Sequence, residues 1–299
     1  MMESGITLFV LTLALSTLRK ATPLLLASLG GFFSERSGVV NIALEGMMLF
    51  GAFASAVVAQ TTHNPWLGVL AAVAVGMAAA AIHATASIWF RANQIVSGLG
   101  INLLAVGTTI FLCEIYTGGQ RSFTLAVGDK LPRWGPFLPL VYVALLMVPV
   151  VTIVAYRTQQ GLRLRAVGEH PEAARTLGVS VPRVRFWAVV TSGALAGMAG
   201  SFLPFFAGSF AKNMTNGLGY IALGALIFGR WTPLGALAAS VLFGSADALQ
   251  EMLQGRAGVP SQFFQMVPYV LTMIALVGVV GRAVPPRALG IPFREEGGG

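Results

Sequence analysis

The side chains most able to do chemistry sit inside apolar sequence. Glu45 lies in a long hydrophobic run, one turn after Asn41, and Asn93, Gln94, Ser97 and Asn102 form a second polar cluster at the start of another run. Of the chain's 11 acids, only Glu45 and Asp247 are clearly within apolar runs, while Glu114 and Glu251 stand near run ends. An ionised group at mid-bilayer costs about 2.5–3.5 kcal/mol on insertion scales, so Glu45 should face either a polar pathway or a polar partner on a neighbouring helix. Asn41 and Glu45 share a helix face, whereas only part of the Asn93–Asn102 cluster does. For all six residues, Asn41, Glu45, Asn93, Gln94, Ser97 and Asn102, lining a pathway and bonding between helices both stay open. Asp247, late in its run, reads as reaching outer water, and His83 as a satisfied core histidine.

Covalent chemistry finds no support in the residue pattern. The three lysines, Lys20, Lys130 and Lys212, never follow a glycine, so the phosphate-binding Gly-Lys-Ser/Thr loop is missing. His63, His83 and His170 are too far apart for a zinc site of the HExxH type, and no serine has the GxSxG context. No catalytic or metal-ligating set is expected. Intramembrane acids are also too few for a proton relay, so the energy for any transport should come from a partner. The single Cys113 excludes an internal disulfide and reads as inert packing.

Positioning these residues is the task of membrane spans. Charged residues make up 10% of the 299 and hydrophobic ones 56%, against about 25% charged in soluble domains. The expected fold is all-α, a polytopic bundle of about 8–10 spans with some broken or re-entrant, forming a single domain over 1–299. A span needs roughly 20 apolar residues, which fits 39–60, 66–90, 94–115, 136–156, 186–207 and 265–281. Shorter runs at 217–229 and 233–250 are separated by Arg230-Trp231-Thr232-Pro233, and Arg19-Lys20 interrupts 5–33, leaving one long helix or two short ones. No charged n-region precedes the first apolar run, so no cleavable signal is expected.

The net charge of +8 is distributed as in a membrane protein. Loop 157–185 carries Arg157, Arg163, Arg165, Arg175, Arg183 and Arg185, and the tail 282–299 adds Arg282, Arg287 and Arg294. By the positive-inside rule both are cytoplasmic, with Arg91 and Glu35-Arg36, while His63-Asn64-Pro65 and 116–135 lie outside. Arg121, Lys130 and Arg133 oppose the rule but are outnumbered. The N-terminal orientation stays open. Nucleic acid is not an expected partner; the lipid bilayer is.

Within the loop, 161–178 reads as a short capped helix of about seven residues, near 10 Å long. Pro171 suits its first position, Glu172 complements its dipole and Gly178 can take the left-handed stop. A helix this short needs an external support.

The stretch from Arg165 to Val179, Arg-Ala-Val-Gly-Glu-His-Pro-Glu-Ala-Ala-Arg-Thr-Leu-Gly-Val, resembles the cytoplasmic coupling segment of permeases in ABC importers for simple sugars, nucleosides and branched-chain amino acids. Ser34 to Met48, Ala92 to Asn102 and Gly217 to Trp231 resemble the nucleoside and simple-sugar branch. The likeness runs over roughly residues 20–282, with His170 where the family usually has Asn.

The resemblance implies a multi-pass inner-membrane subunit with a cytoplasmic C-terminus, importing nucleosides or a simple sugar by alternating access. The short helix would dock on a separate ATPase, which binds ATP and Mg while this chain binds no cofactor. Glu169, Pro171, Glu172, Ala173, Ala174, Arg175 and Gly178 would form the coupling contact. Further partners would be a second permease, related but different, and an extracytoplasmic solute-binding protein. Alternatives are a branched-chain amino acid permease, a self-contained carrier or channel, or an intramembrane enzyme. Gly-broken segments at 30–51 and 217–235 are the places where a transporter site would form.

Overall fold

The computed structural model describes residues 2–254 and 284–293, with side chains from Thr7 onward. The expected span 265–281 lies outside the described residues. The helices are α1 (Met2–Arg36), α2 (Leu44–Thr62), α3 (Pro65–Ala84, prolonged by a π-helical turn, Thr85–Trp89), α4 (Gln94–Thr117), α5 (Pro139–Arg157), α6 (Gln159–Glu169), α7 (Pro171–Thr176), α8 (Val181–Ala207), α9 (Leu218–Phe228) and α10 (Pro233–Leu253). Two three-residue strands, β1 (Ser122–Thr124) and β2 (Ser209–Ala211), pair antiparallel.

Six helices among the described residues are long and apolar enough to cross a membrane: those at Thr7–Arg36, Leu44–Thr62, Pro65–Trp89, Gln94–Thr117, Pro139–Arg157 and Val181–Ala207. This is the polytopic α-helical bundle expected. The N-terminal region forms one helix through Arg19, Lys20 and Pro23. From Ala21 to Ser34 it is almost wholly buried, so packing supports the helix where Pro23 removes a backbone donor.

One expected span is only half of one. With 11 residues, α9 rises about 16 Å, roughly half the ~30 Å hydrocarbon core. The other half of that crossing is the irregular chain from β2 to Gly217. Similarly, α2 starts at Leu44 rather than near 39, because residues 37–43 leave the helix and run as turns and irregular chain within the bundle.

Helix α8 is the hub, packed against α1, α2 and α3. Its small residues make this possible: a Cβ on Gly193 would strike Gly76 of α3, one on Gly197 the Ala72 carbonyl, and one on Gly200 the Met48 carbonyl of α2. Backbones in contact maximise dispersion where lipid offers no hydrophobic drive between helices.

The two ends of the bundle are distinct. At one, His63 bonds Asp129 (2.9 Å) and Arg19 donates to the Pro136 carbonyl (3.0 Å), joining the α2–α3 turn, the 118–138 segment and the middle of α1. Lys20 pairs there with Asp247 (3.6 Å) and Glu251 (3.0 Å). At the other, Arg36 pairs with Glu169 (3.5 Å), and Ala288 donates to the Gly168 carbonyl (2.9 Å). The arginine-rich loop and the described tail therefore share one end, as their charge suggested.

Candidate functional site

The break at 37–43 is held by side chains from three helices. The segment is largely buried, so its freed backbone groups need protein partners. The Val40 N–H donates to Gln94 Oε1 (2.7 Å), and the Val40 carbonyl is bonded by His83 Nε2 (3.2 Å). A carbonyl only accepts, so Nε2 carries the proton; the other ring nitrogen bonds Ser97 Oγ (2.9 Å). Asn102 does two further jobs: its amide donates to the Ile42 carbonyl (3.0 Å) and its Oδ1 accepts from Gly46 N–H (2.8 Å), capping α2. Asn41 donates to Ser192 Oγ of α8 (2.9 Å), while its buried Oδ1 has no partner among the described residues.

The second break closes on the first. Glu45, buried in the first turn of α2, accepts from Gly217 N–H through Oε1 (2.9 Å) and from Gly219 N–H through Oε2 (2.7 Å). It caps α9, and a Cβ on Gly219 would collide with the Glu45 backbone. Two helix N-termini thus meet inside the bundle, each bearing about half a positive charge, with one carboxylate between them. None of the ion pairs among the described residues involves Glu45. Tyr220 completes the node by accepting from the Asn102 amide (2.9 Å).

One side of this node is open: Asn216, beside Gly217, and Tyr220 are exposed, as are Lys212 and Asn213 earlier in the same irregular chain, and Asn213 (φ 53°) and Asn216 (φ 41°) sit in left-handed conformations. Irregular polar backbone at membrane depth is tolerated where it lines a cavity or is covered by protein. A Cβ on Gly100 or Gly107 of α4, or on Gly224 of α9, would meet nothing within 4 Å among the described residues.

Of the six pathway candidates, Glu45 and Asn102 meet in the node, while Asn41, in the adjoining break, is bonded to Ser192 of α8. Gln94 and Ser97 brace the irregular chain leading to it, and exposed Asn93 stands apart as the α4 cap, accepting from Ile95 (2.9 Å) and Val96 (3.2 Å). Tyr220 and Asn216 were missed from the sequence. The available signal was a hydroxyl in the otherwise apolar α9. His83 is the satisfied core histidine expected.

At the Arg36 end, the loop holds two helices rather than one. The residue before a proline avoids the helical region, and His170 accordingly turns out (ψ 80°), separating α6 from α7. Gly178 takes the left-handed stop at φ 80°. Ala174 is 3% exposed and packs on Val167 and Val181, so it seats α7, whereas Glu172, Ala173, Arg175 and Leu177 point outward. Pro171 starts the helix and Glu169 is engaged by Arg36. Buried Arg185 donates to the carbonyls of Ser37 (3.1 Å) and Ile291 (3.0 Å), tying the first break to the tail. The base of α9 is anchored nearby, where Trp231 Nε1 donates to Glu35.

The family model for the branched-chain amino acid transport system permease component matches residues 13–276. The guanosine ABC transporter permease protein NupQ of Bacillus subtilis is 40% identical, over 93% of this chain and 95% of its own. The nucleoside ABC transporter permease protein NupC of Lactococcus lactis is 38% identical, over 91% and 93%. TsgC13 of Haloferax volcanii, provisionally named a glucose ABC transporter permease, is 42% identical over 79% and 75%.

Proposed function

The chain belongs to the branched-chain amino acid transport permease family, and on that footing we propose that it imports nucleosides as one permease of an ATP-driven importer. The node between α2 and α9 carries this reading. Two broken helices meeting inside the bundle, with irregular polar chain on the open side, are what a polar solute needs at mid-membrane. The solute class rests on the two nucleoside relatives that align over more than nine-tenths of each chain. A simple sugar is the second reading, favoured by TsgC13; ribose and hexose hydroxyls present the same chemistry.

The ATPase, carrying ATP and Mg, would dock on the outward side of α7, with Glu172, Ala173 and Arg175 facing it. Movement there reaches the node by a short route. Gly168 of α6 lies against the Arg36 carbonyl, directly before the 37–43 break that ends in the capped α2 terminus. A second permease, related but different, would cover the face of Gly100, Gly107 and Gly224. A solute-binding protein would engage the His63 end, and the Arg36 end with the C-terminal tail would be cytoplasmic.

The test is uptake of radiolabelled guanosine, uridine, glucose and leucine in cells carrying this chain with its cognate ATPase, second permease and binding protein. Nucleoside uptake should dominate and vanish when the ATPase is inactivated. Uptake that persists without ATP hydrolysis would reject the importer reading.

A further inference from the structure

A groove of about 890 Å³ runs between α5 and α8 at the Arg36 end, away from the node. Its walls are aliphatic, including Met147, Val150 and Val154 of α5 and Ala188 and Leu195 of α8, and no carboxylate among the described residues lines it. At its mouth stand Arg163 of α6 and Arg183 of α8. None of the ion pairs among the described residues involves either one.

Along α5 the groove runs from Met147 to Val154, seven residues and about 10 Å, which fits within the ~15 Å hydrocarbon depth of one leaflet. Trp187, one turn above Arg183 on the same helix face, lines the groove and is 61% exposed. Exposed tryptophan marks headgroup height, so the two guanidinium groups lie at the level of lipid phosphates and the aliphatic walls at the level of acyl chains. Paired arginines at the edge of an apolar cleft between spans match an anionic headgroup in charge.

We propose that this groove binds one anionic phospholipid, its phosphate on Arg163 and Arg183 and an acyl chain along Met147, Val150 and Leu195. Leu177 and Gly178, at the end of α7, also line the mouth. A bound lipid would therefore brace the α7–α8 connection and make the stability of that segment depend on lipid charge. The inference rests on the groove and its arginines, and does not need the nucleoside reading.

Native mass spectrometry of the full chain in detergent, doped with phosphatidylglycerol or phosphatidylcholine of matched chains, tests it. The expected result is one retained phosphatidylglycerol, bound roughly tenfold or more tighter than phosphatidylcholine. Arg163→Gln/Arg183→Gln should erase that preference, while Arg133→Gln, in the segment at the opposite end, should keep it. Val150→Trp should lower retention of both lipids by filling the groove. Equal retention of the two lipids by the unaltered chain, or an undiminished preference in the double variant, would overturn the proposal. So would efficient cross-linking of Trp187→Cys between two copies, since a second chain would then occupy the groove.

Discussion

Glu45 and Gly219 are 174 residues apart in the chain, yet the carboxylate of one caps the helix that begins beside the other, at 2.7 Å. The same carboxylate takes the Gly217 N–H with its second oxygen. Glu45 therefore fixes the relative position of two half-crossings, and its two oxygens have separate tasks. An acid here satisfies backbone donors that lipid cannot, which offsets the cost of placing it at this depth.

Glu45→Gln keeps one acceptor oxygen and turns the other into a donor facing a backbone N–H. One buried donor is left unsatisfied, at a cost of about 1–3 kcal/mol. The variant should insert and assemble, unfold at lower temperature in detergent, and transport more slowly per assembled complex. Glu45→Ala loses both caps and should be less stable still. A melting temperature for Glu45→Ala equal to that of the native chain would remove the capping role.

Gly219 and Gly224 lie on the same short helix and should respond oppositely to alanine. In a helix interior alanine favours folding by roughly 1 kcal/mol over glycine. At Gly224 the methyl meets nothing among the described residues, so Gly224→Ala should leave thermal stability unchanged or slightly raised. At Gly219 the methyl strikes the Glu45 backbone, and the variant should lose stability despite its better propensity. Thermal unfolding of the two purified variants checks the sign of each.

Ala173 and Ala174 are neighbours on α7, the first exposed and the second buried. Ala173→Arg should leave the permease folded while lowering uptake and co-purification of the ATPase, because a long charge replaces a methyl on the outward side. Ala174→Arg should instead unseat α7 from Val167 and Val181, seen as faster proteolysis of the loop. Equal ATPase retention in Ala173→Arg and the native chain would move the docking contact elsewhere.

Much of this was legible in the sequence because membrane insertion imposes a coarse code. Span positions, the shared end of loop and tail, the Pro171 start and the Gly178 stop all follow from hydropathy, charge and proline or glycine chemistry. The division of labour among polar residues was not legible. Asn93 and Asn102 look alike in sequence, but one caps its own helix and the other caps α2 across the bundle, which depends on contacts 56 residues apart. The shortness of α9 was legible in the 217–229 run, but its cap was not, because Glu45 arrives there from 172 residues away. Burial of Ala174 likewise depends on where Val167 and Val181 arrive.

Arg185 buries a guanidinium between the first break and the tail. Hydrogen bonds to charged groups contribute about 1.5–3 kcal/mol, and Arg185→Gln cannot make both contacts to Ser37 and Ile291. Hydrogen exchange should rise in residues 284–293 and at Gly38, with the α3–α8 interface unaffected. Unchanged exchange in the tail would mean that the Gly38–Gly290 and Gly168–Ala288 backbone bonds hold it alone.

If the open side of the α2–α9 node borders the solute pathway, thiol accessibility reads it most directly. Cys113 is buried and can be replaced by alanine to give a cysteine-free background. Asn216→Cys or Tyr220→Cys, in the assembled importer, should then react with a small charged methanethiosulfonate reagent, and guanosine should slow that reaction. A thiol at either position that stays unreactive from both sides of the membrane, with and without ATP, would contradict a pathway along that side.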